Sequence, residues 1–360
     1  MRILHVANHV EEIGNGIVNV AVDLACLQAQ LGHQVAFASG GGQYETLLAK
    51  YGVKHYYLDQ SRKPLKLVNA VRNFRAITQQ FHPDIVHGHM MTGIVLAWLL
   101  RSGKNYGLVS TVHNEFQTSS ILMGLADRVI TVSRAVGSSM IRRGVPQHKV
   151  RVVSNANLKS PRNPKIQDCL PLPLARPAIT TVAGMYKRKG IRELIDAFIQ
   201  IAPQFTDAHL YLVGNGPDRE EFEAYVRESQ YYDRIHFEGF QPHPQRYMLS
   251  TDIFVLASHH ESFGLVLTEA REAGCAIVAS DVDGIPETLD NRQAGILVPP
   301  FNSDAIAAAL TQLISEPSTL EKWKSLAQQN LERFHVTRAS EETLAVYSEL
   351  LQDYPYLKTV

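Results

Sequence analysis

Residues 252–274, DIFVLASHHESFGLVLTEAREAG, constrain this chain more than any other stretch. Ile253 to Ala257 is a short, apolar, β-branched run, the pattern of a strand buried on both faces. Ser258 to Gly264 is a polar turn. Leu265 to Ala273 contains good helix formers, and Gly274 stands where a helix C-terminus takes glycine. Strand, turn and helix in this order aim the first backbone N–H groups of the helix at whatever lies above the strand's end. Open α/β sheets receive anions at such places. Glu261 in the turn and Glu269 in the helix flank it, with seven residues between them. An ionised carboxylate only accepts hydrogen bonds, and vicinal sugar hydroxyls donate them. Spacing alone also fits a loop charge and a solvated helix glutamate.

A length of 360 residues suggests two domains. A composition 45% hydrophobic and 19% charged is that of an ordinary globular protein. No apolar run reaches the roughly 18–20 residues of a membrane span. The start, MRILHVANHV, enters a strand directly, so no signal peptide is expected. Cys26, Cys169 and Cys275 are scattered, which argues for a reducing cytoplasm and against disulfides or a zinc site. Net charge is zero, yet residues 1–165 hold 19 basic against 8 acidic residues. That split points to an anionic partner for the first half, such as a membrane surface, or to two mutually attracting domains. Nucleic acid is not an expected partner.

In chain order, Ile3–Ala7 reads as a strand, 11–17 as a glycine turn, Ile17–Leu31 as a helix and Val35–Ala38 as a second strand. Gly14-Asn15-Gly16 lacks the third glycine of a dinucleotide fingerprint, which disfavours an NAD-dependent dehydrogenase. Its glycines still let backbone N–H groups approach a ligand. The helix Leu65–Phe81 has an apolar stripe of Leu65, Val68, Val71, Phe74 and Ile77. It carries Lys66, Arg72 and Arg75 and follows Arg62 and Lys63. It reads either as a basic helix for a membrane surface or as one packed on the sheet with a solvated basic face. Strands Asp84–His87, Leu108–Val112, Val129–Val132 and Val150–Asn155 complete a first domain, residues 1–160. His113 follows one of them, on the rim where doubly wound sheets bind ligands; loop carbonyls could equally satisfy it.

Five prolines between 158 and 177 make residues 161–177 a linker. A second domain, 178–338, opens with the strand Ile179–Ala183. Gly184-Met185-Tyr186-Lys187-Arg188-Lys189-Gly190 then precedes the helix Ile191–Ile201. Three cations in a glycine-bounded turn suit a diphosphate. The strand His209–Val213 ends in Gly214-Asn215-Gly216-Pro217, before an acidic helix near 218–229. His259 and His260 adjoin Glu261 without completing a metal set. Asp281-Val282-Asp283 reads as a loop at a strand's end. Further helices are expected over Asn302–Ile314, Glu321–Phe334 and about 339–360.

The run E-S-F-G-L-V-L-T-E, residues 261–269, resembles the E-x7-E region of the retaining glycosyltransferases of family 4. Ala270, Gly274, Gly284-Ile285-Pro286-Glu287 and Gly295-Ile296-Leu297-Val298 extend the resemblance over most of 178–310, and it continues more loosely over 1–155. It implies the GT-B fold: two doubly wound, Rossmann-like α/β domains facing a central cleft, with the last helix returning to the first domain. The first domain would bind the acceptor and the second a nucleotide-diphosphate sugar, UDP- or GDP-linked, with no cofactor and no metal. The acceptor would be a sugar or lipid-linked hydroxyl, in cell-surface polysaccharide or glycolipid synthesis. The enzyme would be cytoplasmic, with a peripheral place on the inner face of the membrane open to it.

The resemblance also implies roles. Glu269 would hold the ribose hydroxyls. Glu261 with Phe263, Gly264 and Leu265 would hold the sugar hydroxyls and distal phosphate. Lys189, helped by Arg188, would stabilise the leaving phosphate. Gly16, Gly184 and Asn215 would lie along the donor, and S-T-V-H would place His113 on its sugar. The expected catalytic residues are thus Glu261, His113 and Lys189. Two departures from the family pattern stand out. Its usual Asn-Gly-Val-Asp is here Asn155-Ala156-Asn157-Leu158, and its usual arginine after Gly184 is Met185, so that either Lys187 or Arg188 replaces the missing cation or phosphate binding is weakened. A nucleotide-sugar epimerase or hydrolase, or a non-catalytic nucleotide-sugar-binding protein, are the other readings of the same pattern.

Overall fold

The apolar runs become strands of two separate parallel sheets in the computed structural model, which describes residues 1–61, 64–101 and 105–353. The chain divides into two units, one of Met1–Asn163 with the segment from Phe334 onward, the other of Pro164–Arg333.

The sheet of the first unit contains β1 (Arg2–Val6), β2 (Gln34–Ser39), β3 (Lys54–Tyr57), β4 (Ile85–Gly88), β5 (Gly107–Val112), β6 (Arg128–Thr131) and β7 (Val150–Val152). Their order is β3-β2-β1-β4-β5-β6-β7, all parallel. Parallel strands are covered on both faces, so β1, β4 and β5 read as near-continuous apolar runs. Strand order reverses between β1 and β4, where His5 and His87 lie in register. Ligands collect at such a switch point. Val18, Ala21, Val22 and Ala25 of the helix Gly16–Gln30 pack with Phe37 and Leu48. The last helix, Val336–Asp353, buries Tyr347 and Leu350 against Ile3, Ile85 and Val109. Arg128 and Arg151 donate to Glu349 at 3.1 and 2.9 Å and fasten this helix.

Several expectations need correction here. The stretch called a linker begins inside this unit. Arg162 is buried and donates to buried Asp23 through two nitrogens at 2.8 and 2.9 Å, with Ser160 Oγ on the same carboxylate. The helix Pro64–Phe81 buries Ala70, Phe74, Ile77 and Phe81, whereas Val68 is 68% exposed, so its buried stripe does not run through Val68. Arg62 and Lys63 lie outside the described residues, as do 354–360 of the expected last helix. Strand β7 stops at Val152. The departing corner Asn155–Leu158 turns inward instead, with Ala156 and Leu158 buried and Leu158 N donating to Phe334 O at 3.0 Å.

The sheet of the second unit contains β8 (Ala178–Val182), β9 (His209–Val213), β10 (Ile235–Gly239), β11 (Ile253–Leu256), β12 (Ala276–Ser280) and β13 (Ile296–Val298). The order β10-β9-β8-β11-β12-β13 is again parallel, with its switch point between β8 and β11. One helix was expected over 321–334. Pro317 instead starts a helix ending at Ala327, and Asn330, at φ 55°, separates it from a short 3-10 turn, Leu331–Phe334. Fully buried Arg271 pins that junction, donating to Ala327 O, Gln329 O and Asp290 at 2.7–2.8 Å.

Candidate functional site

Two loops leave adjacent strands at the switch point of the second unit. One runs from β8 through Gly184 to Gly190, the other from β11 through Ser258 to Gly264. They touch at Gly190, whose φ is +64°. A Cβ there would sit 1.9 Å from Ala257 O. Only glycine permits that approach. It sets Lys189, the preceding residue, directly on the Glu261 carboxylate in an ion pair. A second close contact works from the other side. A Cβ on Gly284 would meet Ser262 O at 2.0 Å. Gly284 N donates to Glu261 O at 3.0 Å, and Glu261 N donates to Asp283 Oδ2 at 3.0 Å. Glu261 is therefore held by its backbone from the β12 loop and by its side chain from the β8 loop.

Gly264, at φ +84°, precedes the helix Leu265–Glu272 and supplies no capping side chain; no acidic residue stands in the first turn. That helix end suits an anion. Phe263 is buried, its carbonyl accepting from Thr288 Oγ1 at 2.5 Å. Glu269 is half-buried on the same helix. Asn215 joins the group through its backbone, its carbonyl accepting from Met185 N at 3.0 Å.

Met185 itself lies wholly in the apolar core with Ile191 and Leu212. Its side chain belongs to packing, and the cations stand further along the turn. Lys187 is exposed and paired with Glu221 at 2.8 Å. Arg188 is exposed, lies 5.5 Å over the Tyr186 ring, and makes no ion pair among the described residues. The neighbouring histidines are divided. His259 meets Glu193 at 2.8 Å and stacks on Phe301, whereas His260 faces Asp283 at 3.3 Å. Asp281 pairs with Arg292, so the two aspartates of the D-x-D run serve different partners.

Gly16 and His113 belong to the first unit. Gly16 begins its helix behind Asn15, whose Oδ1 accepts from Ile17 N at 3.0 Å. Ile17, His89, Thr111, His113 and Asn114 line one cavity of about 240 Å3 at this unit's switch point. Sequence reasoning singled out His113 but missed what lies behind it. Buried His5, His87 and His89 bring ring nitrogens within 4.8 Å of one another, the one group with metal-ligand spacing among the described residues. Each of those nitrogens already has a partner. His5 binds His89 and Gln28, His89 also reaches His113, and His87 binds Tyr347 and Thr111. Burial lowers His5 to about 4 and His113 to about 3, and holds His87 and His89 well below the usual histidine value. The cluster is neutral at pH 7. A histidine inside an apolar strand, as in Leu4-His5-Val6 and Val86-His87-Gly88, was the available signal.

A family model described as "Glycosyl transferases group 1" matches residues 163–330, and one described as "Glycosyltransferase Family 4" matches 14–156. The chain is 26% identical over 179 residues to alpha-D-kanosaminyltransferase of Streptomyces kanamyceticus, spanning 49% of this chain and 46% of that protein. It is 23% identical over 371 residues to N-acetyl-alpha-D-glucosaminyl L-malate synthase of Bacillus anthracis, spanning 94% and 95%. The chain thus spans about half the length of the first relative and nearly all of the second. Among solved structures, Anabaena Alr3699/HepE in complex with UDP superposes with a TM-score of 0.82 at 19% identity, covering 97% of this chain and all of that one. Two doubly wound parallel sheets and this likeness give the chain the GT-B fold.

Proposed function

The chain belongs to glycosyltransferase family 4, and from that premise we propose that it moves a hexosyl group from a nucleoside-diphosphate sugar to a hydroxyl acceptor, with retention at the anomeric carbon and without a metal. The observation that carries this reading is the meeting of Lys189 with Glu261 at the β8/β11 switch point, beside the N-terminus of the helix Leu265–Glu272.

The donor's diphosphate lies across Lys189, Arg188 and the first turn of the helix Leu265–Glu272, close to Gly184, Asn215 and Gly264. Glu269 accepts from the ribose hydroxyls, and Glu261 from the sugar. As the glycosidic bond breaks, negative charge gathers on the leaving phosphate. Lys189, Arg188 and the helix end stabilise it, at about 3 kcal/mol for each well-placed donor. The acceptor hydroxyl attacks from the face the phosphate leaves, and the phosphate takes its proton. In the first unit, Gly16 lies along the substrate path and His113 meets a sugar hydroxyl. UDP, bound in the Anabaena structure, is the first donor base to try.

The setting is polysaccharide or glycolipid synthesis on the cytoplasmic side of a membrane. No helix among the described residues is long and apolar enough to cross one. The helix Pro64–Phe81 exposes Leu67 and Val68 beside Arg72 and Arg75, which suits a peripheral contact with anionic lipid. The test is incubation with UDP- and GDP-sugars and a panel of sugar and lipid acceptors, with the product read by proton NMR. An α-linked product from an α-linked donor supports the proposal. Free sugar or an epimerised donor as the sole product refutes it.

A further inference from the structure

Hydrogen-bond polarity runs from the core of the first unit to its cavity through a line of side chains. The Gln28 amide oxygen accepts from His5 Nε2 at 2.8 Å. His5 therefore carries its proton on Nε2 and a lone pair on Nδ1. His5 Nδ1 can then only accept, so the proton in its 2.9 Å contact belongs to His89 Nε2. The same step repeats: His89 Nδ1 accepts from His113 Nε2 at 3.3 Å. Each ring is neutral and has one proton to place. The last ring, His113, is left with its proton on Nε2 and a bare Nδ1. That nitrogen is buried and has no hydrogen-bond partner among the described residues. A buried acceptor left unpaired is destabilising until a donor reaches it.

We propose that Gln28 is a positioning residue which, through His5 and His89, fixes His113 as the Nε2–H tautomer, so that the cavity of the first unit takes a ligand hydroxyl donating to His113 Nδ1.

The cavity suits such a ligand. Asn8, Thr92, Asn114 and Gln117 line it with Met90 and Met123, and among the described residues no Asp, Glu, Lys or Arg stands in its wall. An anionic headgroup would find no counter-charge there. A neutral pyranose would find amides and hydroxyls at its edges and thioether surface for its C–H face. His87 does not belong to this line. It is tied sideways to Tyr347 at 2.5 Å and Thr111 at 2.7 Å, which anchors the strand to the last helix. The proposal rests on the reading of this unit as a substrate-sugar site, and its two halves fail separately.

The first half is tested on the whole protein labelled with 15N-histidine, using long-range proton–nitrogen NMR to see which ring nitrogens carry protons. His113 is expected to show a protonated Nε2 and a bare Nδ1. Gln28→Glu, which still accepts from His5, keeps that pattern. Gln28→Met, which cannot accept, gives mixed tautomers at His5, His89 and His113 together. A protonated Nδ1 at His113 in the wild-type protein overturns the relay. So does an unchanged His113 in folded Gln28→Met. If Gln28→Met does not fold, the wild-type and Gln28→Glu spectra decide alone.

The second half uses glucose, galactose, mannose and N-acetylglucosamine, each with its mono-O-methyl derivatives, which accept but cannot donate at the blocked position. At least one sugar is expected to move the His113 Nδ1 resonance, and one methyl derivative of it to bind at least tenfold more weakly. If none moves it while the tautomer is as expected, the relay stands and the sugar site is refuted.

Discussion

Lys189 and Glu261, 72 positions apart in the chain, form a direct ion pair at the ends of β8 and β11. The two loops that carry them are locked by the contact of Gly190 with Ala257 O. Both side chains are largely shielded, at 15% and 17% exposure. A diphosphate arriving at Lys189 must share its ammonium with Glu261.

Glu261→Gln removes the competitor and keeps the shape. Nucleoside diphosphate alone is expected to bind about tenfold more tightly, since charge-assisted hydrogen bonds are the strong ones. Transfer is expected to fall about a hundredfold, because the sugar exchanges a charged acceptor for a neutral amide, one of whose positions only donates. Calorimetric titration and steady-state rates check the two arms. Weaker nucleotide binding in the variant contradicts the sharing.

The cation that replaces the family's usual arginine should be Arg188. Lys187 is exposed and paired with Glu221, a contact that adds little in water. Arg188→Ala is expected to raise the nucleotide dissociation constant about tenfold. Lys187→Ala should change it by less than about twofold. The reverse ranking would show that the turn reorganises around the ligand.

Gly190→Ala tests whether the loops depend on their close approach. The added methyl meets Ala257 O and demands a left-handed backbone conformation. A loss of at least about 2 kcal/mol is expected, seen as a fall of at least about 5 °C in Tm. A Tm within about 1 °C of wild type means that the contact has room to relax.

Much of this was legible in the sequence, for a physical reason. Parallel strands buried on both faces need unbroken apolar runs, so Ile253–Leu256 and Ala276–Ser280 announce themselves, and the polar turns between strands and helices mark the candidate site. Pairing was not legible. Lys189 and Glu261 read as separate groups because strand order, not chain order, brings β8 beside β11. Met185 read as a lost cation because the family pattern carries an arginine after the glycine, while in space its neighbours are apolar core. The edge strand Lys54–Tyr57 escaped notice because its KHYY lacks a buried face. The histidine line was hidden for the same reason as the ion pair: His5 and His89 are 84 positions apart and meet across β1 and β4.

Those histidines make the first unit acid-sensitive. Burial depresses His5 to about 4, below the 6.5 of the unfolded chain. Between these values the unfolded state binds more protons, so stability is complete above about pH 6.5 and is lost as pH falls toward 4. His5 alone accounts for about 3 kcal/mol of that loss. Denaturant midpoints measured from pH 7 to pH 4 should fall steeply, and less steeply in His5→Asn. Equal slopes would show that His5 is not buried neutral.

The most direct measurement is calorimetric titration of the whole protein with UDP, GDP and their glucose conjugates, repeated on Lys189→Ala and Glu269→Ala. Saturable binding of one nucleotide is expected, weakened at least tenfold in each variant, since each removes a charged hydrogen-bonding partner of the donor. No binding of any nucleotide at millimolar concentration, or binding unchanged in both variants, would contradict a donor site at the β8/β11 switch point.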